Sequence, residues 1–172
     1  MEEIMNIIEV SGNLFLPEKW YKGENVENLY FAHCIASDFG MYGGIAKQFV
    51  QRLDMKRKLF DWAYENKLID EVSKNPAAEI YAHSIPTLVG KAVLIEHTYN
   101  LITKEYTAEK PTQDNLTSSL RHMKSQMGRM RDLAIPDMIG CGIDGLNRDV
   151  VMATLQAVFL MTAGNLYVVK LD

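Results

Sequence analysis

Two short segments gather glycine where a backbone could hold an anion. One is Ser37-Asp38-Phe39-Gly40-Met41-Tyr42-Gly43-Gly44-Ile45-Ala46 and the other is Gly140-Cys141-Gly142-Ile143-Asp144-Gly145-Leu146. Glycine lets backbone N–H groups turn toward a ligand with no side chain in the way. Helical periodicity follows each run, and a helix N-terminus adds partial positive charge. Such loops bind phosphate without lysine or arginine, and two of them predict a diphosphate gripped from both sides. A tight strand-to-helix turn also needs glycine, so either loop alone reads first as a structural turn. Neither run fits G-x-x-x-x-G-K-[ST] or G-x-G-x-x-G, which argues against an ordinary NTPase and a dinucleotide dehydrogenase.

Other reactive residue types form no constellation. Cys34 and Cys141 are the only cysteines. They make no disulfide framework and are too few for a zinc site alone. His83, His97 and His122 are isolated, so no metal and no cofactor are expected. A nucleophilic thiol needs a base nearby. His33 adjoins Cys34 but would face the other side of a strand. The net charge of −4 and a pI near 5.6 argue against general nucleic-acid binding. The start MEEIMNII lacks the basic n-region of a signal peptide. The longest apolar stretch, Ala157 to Ala163, is too short to span a bilayer. A monomeric, cytoplasmic protein of a reducing compartment is the expectation, without membrane partners.

A chain of 172 residues suffices for one domain, residues 1–172, with a core that needs no staples. Ile4–Val10, Leu29–Ile35, Leu88–His97, Tyr99–Lys104, Leu133–Ile139 and Leu166–Leu171 read as strands. Ile45, Ala46, Phe49, Val50 and Leu53 fall on one helical stripe, and Met55, Leu59, Trp62 and Ala63 on a second. Thr112 and Asn147 are expected N-caps of two further helices. The first of these buries a stripe of Leu116, Leu120, Met123, Met127 and Met130. Pro17 to Asn28 reads as a long surface loop. The alternation implies an α/β fold with a mixed sheet and helices on both faces.

In order and spacing, several segments resemble a macro domain. They are Val10-Ser11-Gly12-Asn13-Leu14-Phe15, Ala32-His33-Cys34-Ile35 with Asp38 and Met41 to Ala46, Leu101-Ile102-Thr103-Lys104, Lys110-Pro111-Thr112 with Asn115-Leu116, and Ile139-Gly140-Cys141-Gly142-Ile143-Asp144. The pattern is most similar to the terminal ADP-ribose protein glycohydrolases, near the yeast-type ADP-ribose 1''-phosphatases. The resemblance implies a three-layer α/β/α fold that holds ADP-ribose, free or protein-linked, at the strand ends. By motif position Lys104 would be a nucleophile at C1'' of the distal ribose, and Asp144 the acid/base that resolves the adduct. Two other outcomes fit the same family: an ADP-ribose 1''-phosphatase using His33 or Asp144, and a module that binds ADP-ribose without turnover.

The resemblance also implies a ligand-binding set of Asn13, Leu14, Asp38, Met41, Tyr42, Gly43, Gly44, Ile45, Gly140, Cys141, Gly142, Ile143 and Gly145. The catalytic candidates and Asp38 have plainer alternatives. Lys104 could be a solvated charge beside Glu105, Asp144 a turn residue or cap, and His33 a packed strand residue. Asp38 could approach the distal ribose or merely cap its loop. Asn13 stands where many macro domains place an aspartate, and its amide oxygen can still accept a hydrogen bond. Tyr42 stands where the similar M-G-A-G-I-A motif has glycine. A backbone that needs positive φ there would strain it; alternatively its ring covers the phosphates.

Overall fold

A computed structural model describes residues 6–71, 84–128, 132–137, 139, 145–159 and 164–171. Six strands form one sheet: β1 (Asn6–Ser11), β2 (Leu29–Ala36), β3 (Ala92–Ile95), β4 (Thr98–Lys104), β5 (Asp132–Pro136) and β6 (Asn165–Lys170). Their spatial order is β1-β6-β5-β2-β4-β3. All neighbouring pairs are parallel except β3–β4, an antiparallel hairpin turned at Glu96 and His97. The interior strands are buried on both faces, which explains their near-continuous apolar runs.

Four helices cover the sheet: α1 (Gly44–Leu53), α2 (Met55–Glu65), α3 (Gln113–Gln126) and α4 (Arg148–Val158). Phe49, Met55, Leu59, Phe60 and Ala63 pack from α1 and α2 onto Ile35 and Ile102. Leu116, Leu120, Met123, Val151 and Leu155 pack from α3 and α4 onto Leu101, Leu133 and Val168. Adjacent strand residues therefore serve opposite cores, and the result is the three-layer α/β/α arrangement expected. The expected caps form: Thr112 Oγ1 accepts from Asn115 N at 3.1 Å, and Asn147 Oδ1 from Val150 N at 3.2 Å. Met123 and Met127 are core residues, while Met130 lies outside the described residues.

Two details differ from the sequence reading. The Pro17–Asn28 segment is more than a surface loop. It contains two 3-10 turns, Pro17–Lys19 and Val26–Asn28, and buries Trp20 against Tyr167. Leu88 belongs not to a strand but to a 3-10 turn, Pro86–Leu88, that precedes β3. Among the described residues no helix is long and apolar enough to cross a membrane.

Candidate functional site

The strand order fixes where a ligand can enter. From β2 the chain crosses to β3 and β4 on one side, and from β5 it crosses to β6 on the other. The chain thus leaves β2 and β5 in opposite directions, and the switch point of an open α/β sheet, where ligands bind, falls between their carboxyl ends. The two glycine-rich segments follow these strands in sequence. The ends of β1, β6, β5, β2 and β4 stand in one row, with Asn13 beyond one end and Lys104 at the other.

The first loop is held in an unusual shape. Phe39 and Met41 both adopt left-handed φ, +52° and +53°, on either side of Gly40. Such backbone costs a non-glycine residue about 1–2 kcal/mol. Both side chains are buried, and Phe39 meets Phe60 edge-on at 5.4 Å, so core packing offsets the strain. Tyr42 is not itself left-handed. The strain anticipated for it falls on its neighbours, and its ring is left 66% exposed.

Asp38 ties this loop to the one after β4. Its Oδ1 accepts from Gly40 N at 2.9 Å and from Thr107 Oγ1 at 2.6 Å, and its Oδ2 accepts from Thr107 N at 2.9 Å. Asp38 thus caps its loop, one of its two expected roles, and clamps a second loop as well. Gly40 is required by this closeness, because a Cβ there would overlap Thr107 Oγ1. Gly43 caps α1 with extended backbone and no side-chain hydrogen bond, and a Cβ at Gly43 would meet nothing within 4 Å. Gly44 follows at φ +60° and Ile45 is half-buried, and the first N–H groups of α1 have no acceptor within the helix.

Lys104 ends β4 half-buried beside this loop, and its carbonyl accepts from Ser37 N at 2.9 Å. A bulge sets its position. Ile35 pairs with Ile102, but Ala36 pairs with Lys104, so Thr103 is an extra residue on β4. A bulge of this kind re-aims the side chain that follows it. Without it Thr103, not Lys104, would stand against Ala36. Thr103 is buried, and its Oγ1 has no hydrogen-bond partner among the described residues. The neighbouring Glu105 accepts from Ser84 Oγ at 2.8 Å.

His33 lies in mid-strand on β2 and is 0% exposed. Its ring stacks on Phe49 of α1, centroids 3.9 Å apart, and its Nε2 lies 2.7 Å from Asn100 Oδ1. Asn100 Nδ2 donates to Val93 O at 3.2 Å, which orients the amide and assigns the imidazole proton to Nε2. Burial lowers the His33 pKa to about 4, with the Asn100 bond opposing it. This is the arrangement of a packed strand residue, away from the strand ends.

At the far end of the row, Asn13 Oδ1 accepts from Phe15 N at 2.9 Å, leaving one of its two lone pairs. Trp20 Nε1 donates to Asn13 O at 2.8 Å and braces the turn from below. Leu14 is a core side chain that could reach a ligand only through its backbone. A cavity of about 440 Å³ adjoins the ends of β1, β5 and β6, lined in part by Ser11, Asp137, Arg148 and Lys170. Arg148, the first residue of α4, pairs with Asp137 at 2.7 Å and so joins the two ends of the second loop. Gly145 leads into α4 at φ +80°. Gly140, Cys141, Gly142, Ile143 and Asp144 lie outside the described residues. Thr107 and Trp20 brace the site without any motif to announce them. Only the adjacency of β2 with β4, and of β1 with β6, brings them to it.

Comparison with known proteins agrees with this geometry. No family model matches the chain. The chain is 34% identical to the ADP-ribose glycohydrolase OARD1 of Homo sapiens over 133 residues, covering 76% of this chain and 74% of the relative. It is 33% identical to the Bos taurus enzyme of the same name over 132 residues, again covering 76% and 74%. Among solved structures, the macrodomain of Thermus aquaticus DarG aligns with a TM-score of 0.64 at 16% identity, covering 94% of this chain and 97% of that one. The macrodomain of Mycobacterium tuberculosis DarG aligns at 0.63 and 17%, covering 95% and 97%. A third of its residues identical over three-quarters of the glycohydrolase chains, together with a fold that aligns with the DarG macrodomains along nearly its whole length, places the protein in the macro domain family.

Proposed function

We propose that the protein binds ADP-ribose along the row of strand ends and hydrolyses its bond to acidic protein side chains. Four interstrand gaps separate β1 from β4. At about 4.8 Å each they span roughly 19 Å, room for an extended adenosine diphosphate sugar. The adenosine lies toward Asn13, the diphosphate over the first N–H groups of α1, and the distal ribose toward Lys104. In this reading Gly140, Cys141, Gly142 and Ile143 of the second glycine-rich segment supply the other grip on the diphosphate.

The observation that carries this reading is the β4 bulge, which sets Lys104 rather than Thr103 against the first loop. A lysine attacks only as the free amine. Its nitrogen lone pair forms a bond to C1'' while the C1''–O bond breaks and the protein carboxylate leaves. Asp144 accepts the proton shed by the nitrogen. Asp144 then returns the proton to the nitrogen as the C1''–N bond breaks, and water adds at C1'' and gives its proton to the Asp144 carboxylate so regenerated, releasing ADP-ribose. His33, neutral and enclosed, stiffens the sheet beneath the site and takes no proton in this scheme.

The experiment is turnover of a glutamate-linked ADP-ribosyl protein, with intact-protein mass measured during the reaction. Lys104→Ala is expected to fall to background. Asp144→Asn is expected to slow about 100-fold or more and to accumulate a covalent ADP-ribosyl adduct at Lys104. Equal rates for the wild type and Lys104→Ala would refute the lysine mechanism.

A further inference from the structure

The exposed ring of Tyr42 and the amine of Lys56 form a unit that the chemistry above does not use. Lys56 is the second residue of α2. Its Nζ donates to Gly40 O at 3.1 Å and sits 4.4 Å from the centroid of the Tyr42 ring. The ammonium is thus fixed by one carbonyl and one aromatic face. Among the described residues no carboxylate pairs with it, in a chain whose net charge is −4. An ammonium has three donors, and the Gly40 carbonyl takes one.

The position of this pair is informative. The ring leans over Gly40, where a Cβ would lie 3.0 Å from its Cε2. It does not lean over Gly43, where a Cβ would meet nothing within 4 Å. The ring therefore stands beside the opening of α1 and does not roof it. Gly40 in turn is pressed against Thr107, in the loop that directly follows Lys104. The pair consequently occupies the rim at the Lys104 end of the row, where the protein part of a substrate would leave the cleft.

We infer that Lys56 and Tyr42 form a specificity element that contacts acidic protein residues flanking the ADP-ribosylated side chain. The inference rests on the ADP-ribosyl hydrolase reading of the site. The cation attracts neighbouring carboxylates, and the ring orients the cation while offering its free face to the peptide. The element adds binding outside the ADP-ribosyl group and leaves the reacting atoms untouched.

Two glutamate-ADP-ribosylated peptides test this, one with acidic and one with neutral flanking residues, alongside calorimetry with free ADP-ribose. Lys56→Met is expected to raise KM for the acidic-flank peptide about fivefold. Its kcat, its KM for the neutral-flank peptide and its ADP-ribose Kd should stay within about twofold of wild type. Lys56→Arg should restore the acidic-flank KM. Tyr42→Leu should raise the same KM, with less than additive effect in the Lys56→Met background. Equal KM changes for the two peptides, or no change for either, would overturn the proposal. A parallel rise in the ADP-ribose Kd would also overturn it, by assigning the cation to the diphosphate. Failure of the wild type to bind ADP-ribose would instead defeat the underlying reading, and the proposal with it.

Discussion

His33 and Asp38 lie close together on β2 and the loop that leaves it, both are buried, and they do opposite things. The imidazole sits in mid-strand between Phe49 and Asn100, with Nδ1 lacking a partner among the described residues. The carboxylate sits past the strand end and receives three hydrogen bonds, two of them from Thr107. Burial alone thus says little about a polar residue's task. A donor-surrounded carboxylate can keep its charge out of water and bind two loops together. An imidazole with an unpaired nitrogen among apolar groups stays neutral, because a second proton would find no acceptor. Position relative to the strand end decides which of the two can shape the ligand crevice.

The hardest test of this contrast is Asp38→Ala. It strands Gly40 N, Thr107 N and Thr107 Oγ1 together. Leaving buried donors unsatisfied costs about 1–3 kcal/mol per group, tempered here by water reaching the loop. A stability loss of about 2–4 kcal/mol is expected from urea denaturation. ADP-ribose affinity should fall by about tenfold or more, since the loop that opens α1 is released. A stability loss with unchanged affinity would break the comparison, because the clamp would then serve the fold alone.

His33 predicts a pH effect of similar size but on stability only. Its folded pKa, about 4, lies below the usual 6.5. The unfolded chain therefore binds more protons than the folded one between these values, and stability rises with pH across that window. The His33 contribution is complete above about pH 6.5 and is lost as pH falls toward 4, about 3 kcal/mol in all. His33→Gln removes the titration while its amide can still donate to Asn100. Denaturation of both proteins from pH 7 to pH 4 should show the wild type losing about 3 kcal/mol more than the variant. Parallel pH profiles would mean that the imidazole is not enclosed as described.

Much of this was legible in the chain, and the illegible part has a common cause. Glycine runs before helical stripes marked the first loop, and Thr112 and Asn147 marked helix starts, because each of these signals is local. Met123, and Met127 just past the end of α3, are core as their spacing implies. The bulge at Thr103 leaves no local sign, since it exists only as a mismatch between β2 and β4. Thr107 likewise lies in an unremarkable polar stretch and meets Asp38 only because those strands adjoin. The Pro17–Asn28 segment misled through its polarity, which concealed that Trp20 must fill the space under the Asn13 turn. Tyr42 misled differently. Its departure from glycine suggested strain at that residue, whereas the backbone places the left-handed conformations at Phe39 and Met41.

The smallest expected effect isolates one strand of the clamp. Thr107→Val keeps the shape and the backbone N–H of residue 107 but removes the Oγ1–Asp38 bond of 2.6 Å. Asp38 keeps its bonds from Gly40 N and Thr107 N, so the loops should stay joined. A hydrogen bond to a charged group is worth about 1.5–3 kcal/mol, and partial access of water to Thr107 puts the expected loss near the lower figure. The same substitution replaces the hydroxyl against which Gly40 is pressed with a methyl group, so the glycine requirement remains and Gly40→Ala should stay harmful in the Thr107→Val background. Denaturation midpoints of the two single variants and the double variant check this. If Gly40→Ala became harmless beside Thr107→Val, the hydroxyl rather than the closeness of the two loops would be what fixes Gly40, and the clamp would be a matter of one hydrogen bond instead of a packed junction.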